Sequence, residues 1–553
     1  MGAADHGKQP LFALRVARMR THTRKLPRSP VLLVAALVAA AILAPTGSTS
    51  RPATTRAVVG FQSNTQLARA LSRFPGAKIV RRIPHMKTVE VELPGRTSDL
   101  QGIPGIAFSH APLARTAKAE PALVAVLRPG LPYEWQYVAT RENEVPPDVL
   151  RAASTIKIGI VDTGVDVTHP DLAAKAPETW DVVHHRTTVT DRDGHGTFVS
   201  ALAAGSVSND EGIAGFGGDA QLLMVKAVGA SGTFSDVDEA AAIVYAVDHG
   251  AKIVNLSLGG VGASELEQRA IEYAVAHNVL LVAAAGNEYE AGNPIEYPAA
   301  ALQPPGSNGQ GGVGLSVAAS TMAGKRASFS NTGTQISLAA PGENVFSGIA
   351  AGSSRASWPR YALPGSQAGL YGWSSGTSFA TPEVAGAAAL VWAANPGLNA
   401  QQVAALLKAT ASGAGRWNRR LGYGVIDVAA AVAAARGEQV APRVRAGSWL
   451  SFRRMSSRYL SSTTRLRRGR LRALRLAVHL RTSAPLVTPD YRSITLQVRR
   501  GGSWHRLARA TTRRGGGIRW TFGLRPGRYV LRAVYRGRWD LHAAIRLRPV
   551  RVR

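Results

Sequence analysis

Four polar residues stand at turns, two just past apolar runs and two just before helical ones. They are Asp162 in Asp162-Thr163-Gly164, His195 in Asp193-Gly194-His195-Gly196-Thr197, Asn287 after Ala284-Ala285-Gly286, and Ser378 in Gly376-Thr377-Ser378-Phe379-Ala380-Thr381-Pro382. Together they hold the parts of nucleophilic acyl transfer. A serine hydroxyl is a weak nucleophile and needs a base within hydrogen-bond reach. Histidine has the pKa for that task near neutrality. The histidine needs an acid to fix its tautomer and stabilise its charged form, and an asparagine amide can donate to a tetrahedral oxyanion. Singly, each residue has a plainer reading. Ser378 would be a helix N-cap, Asn287 a turn residue, and His195 a structural or metal histidine beside Asp191 and Asp193. Asp162 would be a turn, or half of an aspartic-protease pair. That pair needs a second carboxylate, and Asp-Thr-Gly occurs once. A metal histidine needs partners, and no second histidine lies at helical ligand spacing.

The elements around them are apolar strands alternating with helical stretches. Strands are predicted at Ile156 to Val161, Gln221 to Val225, Ile253 to Leu258, Val279 to Ala283, Gly314 to Ala318 and Ile336 to Ala339. Helices are predicted at Phe198 to Ala204, Ser235 to His249 and Ser264 to His277. Such alternation implies an α/β fold, a doubly wound parallel sheet covered on both faces. Working residues gather at the carboxyl ends of its strands, which is where Asp162 and Asn287 fall. Ser378 opens a helix whose run to Trp392 is almost wholly apolar, so that helix is expected to be buried. Gly376, just before it, is expected to use backbone angles that other residues avoid.

The order Asp, His, Ser, with gaps of 33 and 183 residues, and the four motifs above resemble the subtilisin-like serine proteases, the subtilases. The likeness covers 132–436. It implies Ser378 as nucleophile, His195 as general base then acid, Asp162 as orienting acid, and Asn287 as oxyanion donor with the Ser378 amide. It implies a peptide bound as an added strand against Ser231-Gly232-Thr233 and Ser257-Leu258-Gly259. Ala284-Ala285-Gly286 would help wall the pocket for the residue before the scissile bond. Small, uncharged walls favour an apolar side chain there. Phe198 and Phe379 depart from the family pattern, which often has His and Met at those places; Phe198 is expected to alter the cleft wall. The stretch from Val345 to Ser375, with Trp358, Tyr361, Tyr371 and Trp373, is longer than a minimal loop and is expected to shape the primed side. The chemistry requires no cofactor. A structural calcium ion is implied at Asp171, Val207, Asn209, Glu211 and Ile213, hard oxygen ligands suiting it; the alternative is a solvated acidic loop.

Upstream, 57–113 reads strand, helix, strand, strand, helix, strand. That order makes a ferredoxin-like α+β unit and resembles the inhibitory propeptides that precede subtilases; an unrelated α+β module is the alternative. Residues 114–131 read as a linker where processing would occur. Residues 1–48 hold seven basic residues before position 30, then fourteen uncharged residues, Val31 to Ala44. As a helix that run spans about 21 Å, short of a bilayer core of roughly 30 Å. It reads as a signal peptide, with an N-terminal anchor as the alternative. Either places the bulk of the chain outside the cytoplasm, secreted or tethered. There is no cysteine, so no disulfide or thiolate site.

Past Gly437 the composition changes. Residues 437–553 hold 29 arginines, no lysine and three acids, within a chain of net charge +31. Residues 437–481 read as a basic linker and 482–553 as a small β-sandwich-like domain, from alternation such as Ser493-Ile494-Thr495-Leu496-Gln497-Val498. Arginines on solvated strand faces explain the charge. Nucleic acid, anionic lipid and an acidic cell-wall polymer are the partners it could meet. The chain is expected to be a monomer, a serine endopeptidase made as a zymogen, whose partners are protein substrates and its own propeptide. The competing class is a binding protein on a relic protease fold.

Overall fold

The computed structural model describes residues 54–117, 135–209, 212–228, 233–355, 358, 360–361, 369–439, 448–459, 472–482, 493–500, 502–512, 517–524, 527–535 and 544–552. The first element is β1 (Thr54–Phe61), followed by α1 (Asn64–Leu71), β2 (Lys78–Ile83), β3 (Thr88–Pro94), a 3-10 turn at Thr97–Leu100 and β4 (Ile106–His110). The sheet order is β2-β3-β1-β4, every neighbour antiparallel. Strand alternation gives this sheet two apolar faces. Ala57, Val59, Val91 and Leu93 pack with Leu67 of α1. Val58, with Ile83 and Met86 from the loop side, joins the core of the following domain instead.

β5 (Ala114–Ala117) stands where the sequence suggests a linker. It enters a three-stranded sheet with two later strands; residues 118–131 of that stretch lie outside the described residues. Short helices α2 (Trp135–Thr140) and α3 (Pro147–Ala152) lead to β6 (Lys157–Asp162), α4 (Pro170–Ala173), β7 (Glu178–Asp181), α5 (His195–Ala204) and β8 (Gln221–Lys226). Next come β9 (Phe234–Ser235), α6 (Asp236–Asp248), β10 (Ile253–Leu256), β11 (Leu258–Gly259), α7 (Glu265–Ala276), β12 (Leu280–Ala284), α8 (Ala299–Leu302), β13 (Leu315–Ser320) and β14 (Leu338–Pro341). Seven strands form a parallel sheet, ordered β14-β13-β12-β10-β6-β8-β7. Six of the seven are the predicted apolar runs. The seventh, β7, is a four-residue polar edge strand with no hydrophobic run to betray it.

β15 (Val345–Gly348), β16 (Arg360–Tyr361) and β17 (Tyr371–Ser374) form a small antiparallel sheet from the long stretch before Ser378. It leads into α9 (Thr377–Ala394), buried along nearly its whole length as its composition demands. Gly376 corrects one expectation: its φ of 169° is extended backbone, so the entry to α9 does not draw on glycine's freedom. Helices α10 (Ala400–Thr410) and α11 (Val428–Ala435) close this domain.

The C-terminal region is wholly strands among its described residues. β18 (Ser448–Tyr459), β19 (Arg472–Thr482) and β22 (Gly517–Leu524) form one antiparallel sheet. β20 (Ser493–Arg500), β21 (Ser503–Thr511), β23 (Gly527–Tyr535) and β24 (Ala544–Val552) form another. Leu476, Val478, Ile494, Leu496, Ile518 and Leu531 draw on both sheets for one core. The stretch expected to be a basic linker thus contributes two long strands, β18 and β19. Arg453, Arg454 and Arg458 in β18 and Arg472, Arg475 and Arg481 in β19 interrupt the alternation that marks a strand.

Candidate active site

β6 ends at Asp162, and α5 begins at His195. His195 Nδ1 lies 2.8 Å from Asp162 Oδ1, both side chains buried. Asp162 Oδ1 also accepts the Thr163 N–H at 2.7 Å. Gly196 permits this approach: a Cβ there would fall 2.1 Å from the Gly164 carbonyl oxygen.

Asp191 joins the two loops. Its Oδ1 accepts from the Thr163 hydroxyl at 2.9 Å and the Gly194 N–H at 2.8 Å. Its Oδ2 accepts from the Thr197 N–H at 2.8 Å and hydroxyl at 2.6 Å. Thr163 belongs to the Asp162 turn, and Gly194 and Thr197 bracket His195. One buried carboxylate therefore sets the spacing of the pair. Burial pushes the Asp191 carboxyl up, against the pull of these donors. The sequence shows Asp191 only as a neighbour of His195; the signal for its role is the Thr163 and Thr197 hydroxyls, legible once the two loops are known to meet.

Ser378 occupies the second position of α9. Its hydroxyl lies 3.4 Å from the Ser257 carbonyl oxygen, and its own carbonyl accepts from the Ser257 hydroxyl at 2.7 Å. Pro382, four residues on, has no N–H to give that carbonyl, which explains why a side chain from the neighbouring loop supplies the donor. The ring of Phe379 lies 5.6 Å from that of His195, so the start of α9 adjoins the Asp162–His195 pair. Asn287 follows β12. Its Oδ1 accepts from the Thr377 N–H and hydroxyl, both at 2.9 Å, so the carboxamide is anchored on the residue before Ser378 with its nitrogen as the donor end.

The expected substrate edges meet a strand. β5 pairs antiparallel with β11, Ala117 against Leu258 and Thr116 against Gly259. On its other side Ala114 pairs with Ser235 and Arg115 with Phe234, in β9. Thr233 adjoins β9, whereas Ser231 and Gly232 lie outside the described residues. Ala284, Ala285 and Gly286 lie at the end of β12, with the Gly286 N–H directed at the Thr377 hydroxyl at 3.3 Å.

Phe198 corrects another expectation. It is fully buried, 4.4 Å from the Phe379 ring and 5.0 Å from that of Trp358, centroid to centroid. It backs the site and does not wall the cleft. Trp358, from the long stretch before Ser378, completes this aromatic cluster.

Of the residues expected to hold calcium, Asp171, Asn209 and Ile213 are brought together. Asp171 is buried, with Oδ1 accepting from Asn209 Nδ2 at 3.0 Å and Oδ2 from the Ile213 N–H at 3.1 Å. Burial raises the Asp171 carboxyl, against the pull of the Asn209 amide and the Ile213 N–H. Val207 is half-buried, and Glu211 lies outside the described residues. Among the described residues no group of three or more His, Cys, Asp or Glu could hold a metal ion.

Along the C-terminal strands Arg499, Arg500, Arg506, Arg509, Arg519 and Arg528 are exposed. The apolar run at 31–44 lies outside the described residues, among which no helix is long and apolar enough to cross a membrane.

A family model described as the subtilase family matches residues 153–424. The chain is 40% identical over 260 residues to thermitase of Thermoactinomyces vulgaris, covering 47% of this chain and 81% of that one. It is 30% identical over 426 residues to M-protease of Shouchella clausii (strain KSM-K16), covering 75% of this chain and 100% of that one. Its fold is similar to that of fervidolysin from Fervidobacterium pennivorans, described as a keratinolytic enzyme related to subtilisin. There the TM-score is 0.57 at 18% identity, over 91% of this chain and 92% of the other.

Proposed function

The chain belongs to the subtilase family of serine endopeptidases, and from that premise we propose that Ser378, His195 and Asp162 are its catalytic triad, that Asn287 is its oxyanion donor, and that it is exported as a zymogen. The observation that carries the triad is the 2.8 Å contact of His195 Nδ1 with Asp162 beside the start of the Ser378 helix. With Nδ1 committed to Asp162, Nε2 is the nitrogen that takes the Ser378 proton as Oγ attacks the peptide carbonyl. Negative charge on the carbonyl oxygen is met by the Asn287 amide and the Ser378 N–H, where the α9 dipole also favours it. Collapse expels the amine, which takes the proton from His195. Water, activated the same way, then hydrolyses the acyl-enzyme. None of these steps asks for a metal or cofactor.

The zymogen reading rests on how residues 54–117 sit on the catalytic domain. Their sheet covers α6 and α7: Arg81 pairs with Asp238 at 2.7 Å, His85 stacks on Tyr273 at 5.1 Å, and Arg269 lies 4.9 Å from the centre of the Phe108 ring. Their tail, β5, fills the groove between β9 and β11 as a bound peptide would. Export rests on the basic and apolar N-terminus alone.

The test is labelling by a fluorophosphonate probe with casein hydrolysis alongside, in the wild type and in Ser378→Ala. Both signals are expected in the wild type and neither in the variant, which is also expected to keep residues 54–117 attached. Labelling that survives in Ser378→Ala would refute the assignment of the nucleophile.

A further inference from the structure

Arg115 is the largest fully buried side chain among the described residues. An arginine is seldom buried unless paired, and this one enters an acidic recess on the catalytic domain. Its Nη2 lies 2.6 Å from Glu267 Oε2, and its Nε lies 3.2 Å from Glu239 Oε2. Nη2 also donates to the Gly262 carbonyl at 3.1 Å. Asp236 forms the near wall, its Oδ1 accepting the Leu113 N–H at 2.8 Å and its Oδ2 accepting from the Ser264 hydroxyl at 2.6 Å. His110 stands 3.8 Å from Asp236 at the rim. Glu239 and Asp236 come from α6 and Glu267 from α7, so two rigid helices hold the recess.

Three buried carboxyl groups, those of Asp236, Glu239 and Glu267, surround one guanidinium. Burial pushes Glu239 and Glu267 up, and their mutual repulsion adds to this in Glu239. Burial also works to lower Arg115, but Glu239 and Glu267 outweigh it and hold the guanidinium charged. A recess built only to anchor a folded segment gains little from surplus acid, because a hydrophobic filling is often as stable as a buried ion pair. A recess that must discriminate among visiting side chains gains much. The wrong visitor leaves the acids uncompensated.

Arg115 also has a defined place along the groove. Ala117 is set against Leu258, and the residue before Leu258 is Ser257, whose carbonyl oxygen is 3.4 Å from Ser378 Oγ. In an antiparallel pair one step forward on one strand is one step back on the other. A peptide bound in the register of β5 therefore presents its next residue at Ser257, beside the nucleophile, and is cut after it. The place of Arg115 is then the fourth residue before the cleaved bond.

We propose that Asp236, Glu239 and Glu267 form a substrate pocket selective for arginine at the fourth residue before the scissile bond, and that Arg115 occupies it until the segment 54–117 is released. The proposal rests on the reading of the β5 groove as the substrate cleft. Arginine suits the recess better than lysine, since its fork reaches Glu239 and Glu267 together where an ammonium is a single point charge.

The experiment uses the processed enzyme and fluorogenic peptides Ala-Xaa-Thr-Ala-Leu, with Xaa arginine, lysine, alanine or glutamate. The arginine peptide should exceed the alanine peptide in kcat/KM by about 30-fold or more, the scale of losing one partner of a buried charge pair. Lysine should fall between them, and glutamate below alanine. In Glu239→Gln with Glu267→Gln the arginine-to-alanine ratio should drop to within about threefold of unity. Being a ratio within one protein, it is insensitive to the fraction that folds. Equal rates for arginine and alanine in an enzyme that digests casein would overturn the pocket and leave the protease reading standing. An arginine preference unchanged in the double variant would overturn the assignment to these carboxylates. Absence of both casein hydrolysis and fluorophosphonate labelling would sink the protease reading, and the pocket with it.

Discussion

The Ser257 hydroxyl donates to the Ser378 carbonyl oxygen at 2.7 Å, while the Ser378 hydroxyl lies 3.4 Å from the Ser257 carbonyl. The loop that ends β10 is thus tied to the first turn of α9 by two contacts, one of which exists because Pro382 cannot serve as donor. Asn255 Nδ2 donates to the same Ser257 hydroxyl at 2.9 Å and fixes its direction. Ser257→Ala leaves the buried Ser378 carbonyl without its donor. The expected cost is about 1–3 kcal/mol of stability, with kcat reduced as the Ser378 turn loosens. Chemical denaturation in a Ser378→Ala background, where self-digestion is silent, measures the first part. A change under about 0.5 kcal/mol would show that the turn is held by other contacts.

Asp191 invites a different measurement. Because it accepts from Thr163, Gly194 and Thr197, it fixes where Asp162 and His195 stand without touching substrate. Asp191→Asn keeps one acceptor and turns an NH2 group toward donors. The two loops should shift by a fraction of an ångström, and kcat should fall about 10- to 100-fold with KM within about threefold. A variant that lost affinity in place of kcat would assign Asp191 to the cleft and not to the pair.

These residues mark how far the sequence could be read. The parallel sheet was legible because fully buried strands are continuous apolar runs, and the candidate site residues stood out because Asp162 and Asn287 follow such runs while His195 and Ser378 stand in Gly-containing turns that open helices. β7 and the strands β18 and β19 were not, since a short polar edge and an arginine-studded strand lack an apolar signal. The role of β5 was hidden for another reason. Ala114-Arg115-Thr116-Ala117 has no pattern of its own, and its strand exists only because β9 and β11 offer backbone partners on either side. Asp191 was read only as a neighbour of His195 and Phe198 only from the family pattern, whereas the contacts that define them include Thr163, 28 residues away, and Phe379, 181 residues away.

Phe198 and Phe379 are the two departures from the family pattern, and their rings meet at 4.4 Å. The two changes are therefore expected to be coupled, each aromatic filling space shaped by the other under Trp358. In a double-mutant cycle of Phe198→Leu and Phe379→Leu, the coupling should be about 0.5–1.5 kcal/mol. Additive losses would mean that the rings are neighbours without mutual dependence. Because Phe379 also lies beside His195, its single variant should lower kcat more than Phe198→Leu does.

Glu383, five residues beyond Ser378 in α9, is fully buried, and neither of its carboxyl oxygens has a hydrogen-bond partner among the described residues. Burial, and then the charge of Glu142, push its carboxyl well above the usual range. Arg141, next to Glu142, is engaged with Glu144 at 2.8 Å and Asp427 at 3.4 Å. A carboxyl raised on folding binds its proton more tightly in the folded chain. Its contribution is therefore fully present below the unfolded pKa of about 4.3 and is lost as pH rises through the folded value. Each unit of elevation costs about 1.4 kcal/mol once the solution is alkaline to it. Glu383→Gln is neutral at every pH and escapes this loss. In the Ser378→Ala background, the variant should melt close to the parent at pH 4 and several degrees above it in alkaline buffer, at about 2–4 °C per kcal/mol for a domain of this size. A difference in Tm that stays flat from pH 4 to pH 9 would show that Glu383 finds a partner or a route to water in solution.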